Sequence, residues 1–321
     1  MNIYDFDKTI YKNDSTADFY FFCFKRHPKM LKKVPQLIWA FGLYMLTIYT
    51  KTQFKEKMYT FLTCIDDIDK EVGDFWDKRY ENIKDYYKTT KHETDVVISA
   101  SPEFLVKEGC KRLGISKVIA SRVDKKTGKY TGENCWGEEK VKRLMEHIPD
   151  AECETFYSDS LSDTPLAKIA KKAYIVKKEE LIDWNEYKPS VKEKLLKTFF
   201  TPEFIMFLVV GVINTFAGSV FSMIYRSFIP NDTIAFIPGY ITANIMSYVL
   251  NSILTFKEKF AFDKYVRFFI SSLPNFIIQV IMVKILSDML KLPALVAYCT
   301  AAIIGVPVTF ILVKIFAFRK K

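Results

Sequence analysis

The chain changes solvent partway along its length, and that division limits its fold more than any single motif does. Up to about Lys197 it mixes Lys, Asp and Glu as a water-facing surface does, whereas from Phe204 onward charges nearly vanish for long stretches. At 321 residues there is room for two domains. Four apolar stretches follow one another in the second half: Phe204–Tyr225, Thr233–Phe256, Phe268–Val283 and Leu292–Phe318. A helix needs roughly 20 apolar residues to cross the ~30 Å hydrocarbon core. Three stretches reach that length, and the one from Phe268 uses Arg267 and Lys284 as snorkelling ends. The expectation is an all-α transmembrane domain of four helices.

Basic residues set the expected orientation. Lys192, Lys194 and Lys197 precede the first span, Lys257, Lys259, Lys264 and Arg267 separate the second from the third, and Arg319, Lys320 and Lys321 close the chain. The opposite loops carry only Arg226 on one and Lys284 with Lys291 on the other. The positive-inside rule then puts both termini of a multi-pass cell-membrane protein in the cytoplasm. These flanks, and basic residues interleaved with acidic ones, account for the net charge of +10; no basic and aromatic stripe points to nucleic acid. Six cysteines without C-x-x-C spacing read as reduced thiols. Asp5 and Asp7 stand where a signal peptide would carry its basic and apolar regions, so the first half is expected to stay cytoplasmic.

The membrane half repeats itself. Phe204–Asn214 matches Tyr265–Asn275 in pattern at an offset of 61, and Ser247–Lys257 matches Thr309–Arg319 at 62. Two hairpins that start and finish on one side make a parallel repeat about an axis along the membrane normal. On the opening run with its Asn and the endings Phe256-Lys257 and Phe318-Arg319, the region from about Lys197 to Lys321 resembles the GtrA-like family of four-span proteins. The resemblance implies a link to polyprenyl-phosphate-linked sugars and cell-surface polysaccharide. Asn251 fits that family's polar position, and Val313 stands at its second copy. Asn214, Asn244, Asn251, Asn275 and Gln279 lie at membrane depth, either as hydrogen-bonding glue between helices or as the lining of a path for a lipid headgroup.

The first half carries the chemistry. A short strand at Asn2–Tyr4 leads into Asp5-Phe6-Asp7-Lys8-Thr9, and strand alternation sends the two carboxylates to one face. At the C-terminal end of a parallel strand they meet in the crevice where such sheets bind ligands. Three further elements follow in order. The strand-like Asp95–Ser99 ends in a hydroxyl before Ala100-Ser101-Pro102, Gly137 to Lys140 opens a helix, and Thr155–Asp159 is a strand leading to Asp163.

Together these residues resemble the four motifs of the haloacid dehalogenase-like superfamily, in the subclass that includes phosphoserine phosphatase and some phosphatidylglycerophosphate phosphatases. The resemblance implies an α/β Rossmann-like core over about residues 1–185 with a helical cap at about 15–90, a charged linker at 186–200, and the membrane domain at 201–321. It implies that Asp5 is the nucleophile forming an aspartyl-phosphate, and that Asp7 is the acid and base. Thr9, Ser99, Ala100 and Lys140 would bind the phosphoryl group, and Asp5, the Asp7 carbonyl, Asp159 and Asp163 would hold Mg²⁺. Two carboxylates suit this chemistry, because a carboxylate nucleophile divides hydrolysis into two displacements and the leaving alkoxide needs a proton. Ser158 stands where the family usually has Gly. Ser101 rivals Ser99 as the motif serine, and Lys140 read alone is a solvated helix residue beside Lys142 and Arg143.

Within the cap, Val34–Tyr49 runs 16 residues without charge between Lys29, Lys32, Lys33 and Lys51. It is too short to span comfortably. It is either a buried cap helix or an interfacial segment, the latter suggested by its basic flanks with Trp39, Tyr44 and Tyr49. The function expected is a Mg²⁺-dependent phosphatase acting on a membrane lipid or polyprenyl phosphate. The alternative is a polyprenyl-linked sugar carrier whose catalytic domain trims a soluble sugar phosphate. Nothing in the sequence reads on oligomeric state.

Overall fold

A computed structural model describes residues 1–229, 232–283, 285–286, 290 and 294–318. The chain groups into two compact units, Met1–Phe41 with Thr50–Pro189 and Gly42–Tyr49 with Ser190–Lys321.

The first unit opens with strand β1 (Asn2–Tyr4) and passes at once into helices: α1 (Ser15–Arg26), α2 (Val34–Met45, which leaves the unit after Phe41), α3 (Lys51–Tyr59), α4 (Ile68–Arg79) and the short α5 (Asp85–Thr90). Each of α1, α3 and α4 starts where a side chain satisfies a free N–H. Asp14 accepts from Ala17, Thr50 and Gln53 form a reciprocal capping box, and Asp67 accepts from Lys70. The chain returns as β2 (Val96–Pro102), α6 (Glu103–Arg112), β3 (Lys117–Ser121), α7 (Glu138–His147), β4 (Thr155–Ser158), α8 (Thr164–Ile169), β5 (Lys172–Lys177) and β6 (Glu180–Asp183).

The strands form one sheet in the order β3-β2-β1-β4-β5-β6, parallel except for β6. Alternation along the strands feeds two cores. Ile3, Val96, Ile98 and Phe156 face Leu144 of α7 and Leu166 of α8, while Tyr4 and Val97 face Leu105 and Val106 of α6 and the cap residues Phe75 and Trp76. This is the Rossmann-like sheet of the expected α/β core. β2 runs on through Pro102, with an irregular register between Ser99 and Pro102, so the strand outlasts the stretch the sequence suggested.

Segment Val34–Tyr49 is not a buried cap helix. Within the first unit's part of α2, Ile38 is 67% exposed and Trp39 71%, and only Ala40 is buried. Its remainder belongs to the second unit, where Thr47 donates to the Leu254 carbonyl (2.8 Å) and Lys257 donates to the Thr47 carbonyl (3.0 Å).

The second unit continues with α9 (Val191–Phe199), α10 (Pro202–Arg226), α11 (Asp232–Leu250), α12 (Phe262–Val283) and α13 (Ala294–Leu312). The expected linker is therefore helical over much of its length, because Ser190 and Glu193 close a capping box on α9. Helix α10 is long and apolar enough to cross a membrane, the one such helix among the described residues; Ile241–Phe256 and Ile304–Ala317 are shorter apolar helices. α12 begins six residues before the expected apolar stretch, at Phe262. Both α11 and α13 widen into a π-helical turn, at Asn251–Phe256 and Val313–Ala317. Phe256 and Phe318, just at or beyond these turns, stack with centroids 4.4 Å apart, in a cluster with Phe207, Tyr248, Phe268 and Phe310.

Asn251 bonds within its own helix, donating to the Ser247 carbonyl (2.9 Å) and accepting from Thr255 (3.0 Å). The side-chain oxygens of Asn214 and Asn244 are buried without a partner. The side chains of Asn275 and Gln279, together with Lys284, Lys291 and Arg319–Lys321, lie outside the described residues.

Candidate active site

Asp5 and Asp7 follow β1 at the C-terminal edge of the sheet, where parallel strands open a crevice. Lys140, in the first turn of α7, is 2% exposed and reaches across to donate to Asp5 Oδ1 (2.7 Å) and Asp163 Oδ2 (2.8 Å). It is no solvated surface lysine. Gly137 gives α7 this approach, with a φ of +62° at the residue before the helix, a conformation glycine adopts without strain. Burial works against the Lys140 charge, yet Asp5 and Asp163 hold its ammonium above the ordinary lysine range. Burial also holds Asp5 well above the usual carboxylate range; Lys140 opposes this, while Asp163, Asp159 and Asp7 add to it.

Asp7 is held by groups from two elements. Its Oδ1 accepts from the Ser15 backbone N–H at the start of α1 (2.6 Å), and its Oδ2 accepts from Ser101 Oγ (2.5 Å). Burial, with Asp14 nearby, pushes its carboxyl up to about 6 despite these hydrogen bonds from Ser101 and Ser15. A carboxyl near that value can carry a proton and release it close to neutral pH.

Ser99 and Ser101 both lie on β2, but their hydroxyls do different things. Ser99, fully buried, accepts from the Ser101 N–H (3.1 Å), whereas Ser101 bonds Asp7 and accepts from Thr16 (2.8 Å). Thr9 is fully buried, and its hydroxyl has no partner. Ser158 donates to Asp163 Oδ2 (2.8 Å), so its hydroxyl props a carboxylate. Asp159 is raised by burial, against the pull of Lys8 and Lys177.

One residue had no sequence signal. Lys55, on α3 of the cap, lies 3.3 Å from both the Ala100 carbonyl and Asn134 Oδ1, and burial with Lys51 nearby pushes its ammonium down to about 8. In sequence it is one lysine among several on a polar helix. Only the return of the cap over β2 brings it to Ala100.

The carboxylates suit a divalent cation. Asp163 Oδ1 is buried without a hydrogen-bond partner, and Asp5, Asp159 and Asp163 gather their charge around Lys140, with Lys8 and Lys177 acting on Asp159. Among the described residues no three acidic, His or Cys side chains are spaced to hold an ion by themselves, so backbone oxygen and water would complete a ligand set.

The family model described as haloacid dehalogenase-like hydrolase matches residues 3–168, and that of the GtrA/DPMS transmembrane domain matches residues 206–318. A probable phosphatase of Mycobacterium tuberculosis H37Rv is 36% identical over 89 residues, covering 25% of this chain and 31% of that protein; an uncharacterized protein of a second strain matches equally. The chain thus spans about a third of the length of the curated relatives it matches. Among solved structures, a Bordetella pertussis protein of unknown function aligns with a TM-score of 0.47 at 18% identity, over 55% of this chain and 88% of that one. A phosphoserine phosphohydrolase-like protein from Francisella tularensis gives 0.36 at 16%, over 56% and 88%. A phospho-aspartyl intermediate analogue of phosphoserine phosphatase gives 0.33 at 17%, over 54% and 84%. With one model running over more than half of its residues, the chain belongs to the haloacid dehalogenase-like hydrolases.

Proposed function

We propose that this chain is a phosphomonoester hydrolase acting on a phosphate carried by a membrane lipid or polyprenol. The observation that carries the chemistry is the buried Lys140 bridge between Asp5 and Asp163, with a second carboxyl at Asp7 held by the Ser15 N–H and Ser101 Oγ. Asp5 attacks phosphorus and the ester P–O bond breaks, while Asp7 gives its proton to the departing oxygen. Asp7 then takes a proton from water, whose oxygen attacks the aspartyl-phosphate and frees Asp5. Lys140 holds Asp5 in line and offsets charge on the phosphoryl oxygens. Thr9, Ser99 and the Ala100 segment bound the phosphate on its other sides. Mg²⁺, with Asp5, the Asp7 carbonyl, Asp159 and Asp163 as ligands, would supply further neutralisation of the phosphoryl charge.

The lipid-borne substrate is supported by the match of residues 206–318 to a transmembrane domain and by the exposed Ile38 and Trp39 of α2, beside Lys29, Lys32 and Lys33. The basic flanks support a cytoplasmic catalytic unit. The test is phosphate release by the full chain in liposomes containing polyprenyl phosphate or phosphorylated glycerolipid, against a water-soluble ester. Asp5→Asn should lower turnover at least about 10³-fold on every substrate. EDTA should stop the wild type and Mg²⁺ restore it. Turnover of the soluble ester alone would favour the carrier reading, with a sugar phosphate as substrate.

A further inference from the structure

A cavity of 460 Å³ opens beside the catalytic carboxylates and is walled by Lys8, Lys12, Lys84, Lys177 and Lys178. Asp159 and Glu179 are the acids in its lining. Asp159 is shared, since Lys8 and Lys177 of this wall pull on it and its charge also acts on Asp5, and five lysines face the two acids. The wall therefore carries an excess of positive charge immediately next to the place where a phosphate would react.

The lysines divide into two kinds. Lys84 is buried and donates to the Lys8 carbonyl (2.5 Å), and Lys177 donates to the Asp159 carbonyl (3.1 Å), so these two brace the backbone of the wall. Lys8, Lys12 and Lys178 are exposed at the rim. Two of the rim residues adopt the left-handed conformation, Lys8 at φ 57° and Lys178 at φ 56°. Lys178 opens the two-residue turn between β5 and β6, a position where glycine or asparagine is usual. A lysine there is strained, and strain kept at two points of one rim marks a functional site better than a solvated face. Like charges gathered on one concave wall also repel unless an anion lies among them.

We propose that this cavity is a subsite for a second phosphate-class dianion, held beside the phosphate that Asp5 attacks. The inference rests on the phosphatase reading and, where the second group belongs to the substrate, narrows that substrate to one bearing two such groups. The same chemistry could come from a second phosphate of the substrate or from free phosphate.

The test is calorimetry on the full-length Asp5→Asn chain in detergent, with propyl phosphate, propane-1,3-diyl bisphosphate and inorganic phosphate as probes. A second group on the substrate predicts that the bisphosphate binds about tenfold tighter than propyl phosphate. Adding Lys12→Ala and Lys178→Asn, both at exposed positions and the latter tolerant of a left-handed φ, should erase that advantage. If free phosphate is the source, inorganic phosphate binds at a second site in the presence of saturating propyl phosphate, and that site is lost in the same variant. Equal affinity for mono- and bisphosphate with one phosphate site, or an advantage untouched by the substitutions, overturns the proposal. Hydrolysis of propyl phosphate by the wild type is scored separately. Its absence, with the bisphosphate advantage intact, would count against the phosphatase reading alone.

Discussion

Lys140 has two buried acids within hydrogen-bond reach, and its removal would strand both. Breaking such a bridge by deleting one partner costs about 3–5 kcal/mol, because a charge is left buried without compensation. Lys140→Met is therefore expected to lower the denaturation midpoint of the full chain as well as its turnover, and an unchanged midpoint would contradict the bridging role. Lys55 behaves in the opposite sense. Its ammonium is pushed down to about 8, below the unfolded lysine value of about 10.4. Between those values the unfolded chain binds more protons than the folded one, so stability rises with pH there, and below about 8 the full penalty of a buried charge is present. Lys55→Met should thus stabilise the fold at pH 7, by on the order of 2 kcal/mol, with a lead that shrinks toward pH 10. If Lys55 serves the site, the same variant loses turnover. Denaturation at two pH values with a parallel activity assay checks both halves.

At the scale of elements, the helices between β1 and β2 are locked to the sheet's own helices through the seam of α4 and α6. Trp76 donates from its indole to the Leu105 carbonyl (2.9 Å), and its ring lies where a Cβ on Gly109 would come within 2.6 Å. The ring is fully buried and cannot swing away, so Gly109→Ala should destabilise the first unit by about 1–3 kcal/mol through overpacking. Loss of protection from proteolysis within α4 would show it, and unchanged protection would mean that the seam yields more easily than its packing suggests. α2 offers a different test, since it turns Ile38 and Trp39 outward. Each apolar side chain moved from water to lipid contributes about 1.5–3 kcal/mol. Ile38→Ser with Trp39→Ser should therefore reduce the ratio of activity on vesicle-borne to water-soluble ester about tenfold or more. A constant ratio would exclude α2 from membrane contact.

For the whole molecule, the basic flanks predict where each end lies. Reporter fusions after Lys321 and within Phe260–Lys264 should read as cytoplasmic, and one within Pro230–Thr233 as external. An external C-terminus would imply an odd number of spans. The sequence by itself was sufficient for the parallel α/β core and for the change to long apolar runs, because strand period and apolar run length are local properties of a chain. Asp5, Asp7, Lys140 and Asp163 are expected together only through the resemblance to the haloacid dehalogenase-like motifs, and the fold brings Lys140 to Asp5 and Asp163. Tertiary structure alone decided five further matters. It selected Ser101 as the hydroxyl touching Asp7, gave Ser158 a carboxylate to hold, brought Lys55 from the cap to Ala100, and gathered five lysines around one cavity. It also attached Gly42–Tyr49 to the second unit through Thr47, Leu254 and Lys257. These contacts join residues whose separation along the chain follows no period, and the burial and electrostatics that give them their chemistry exist only once the chain has closed on itself.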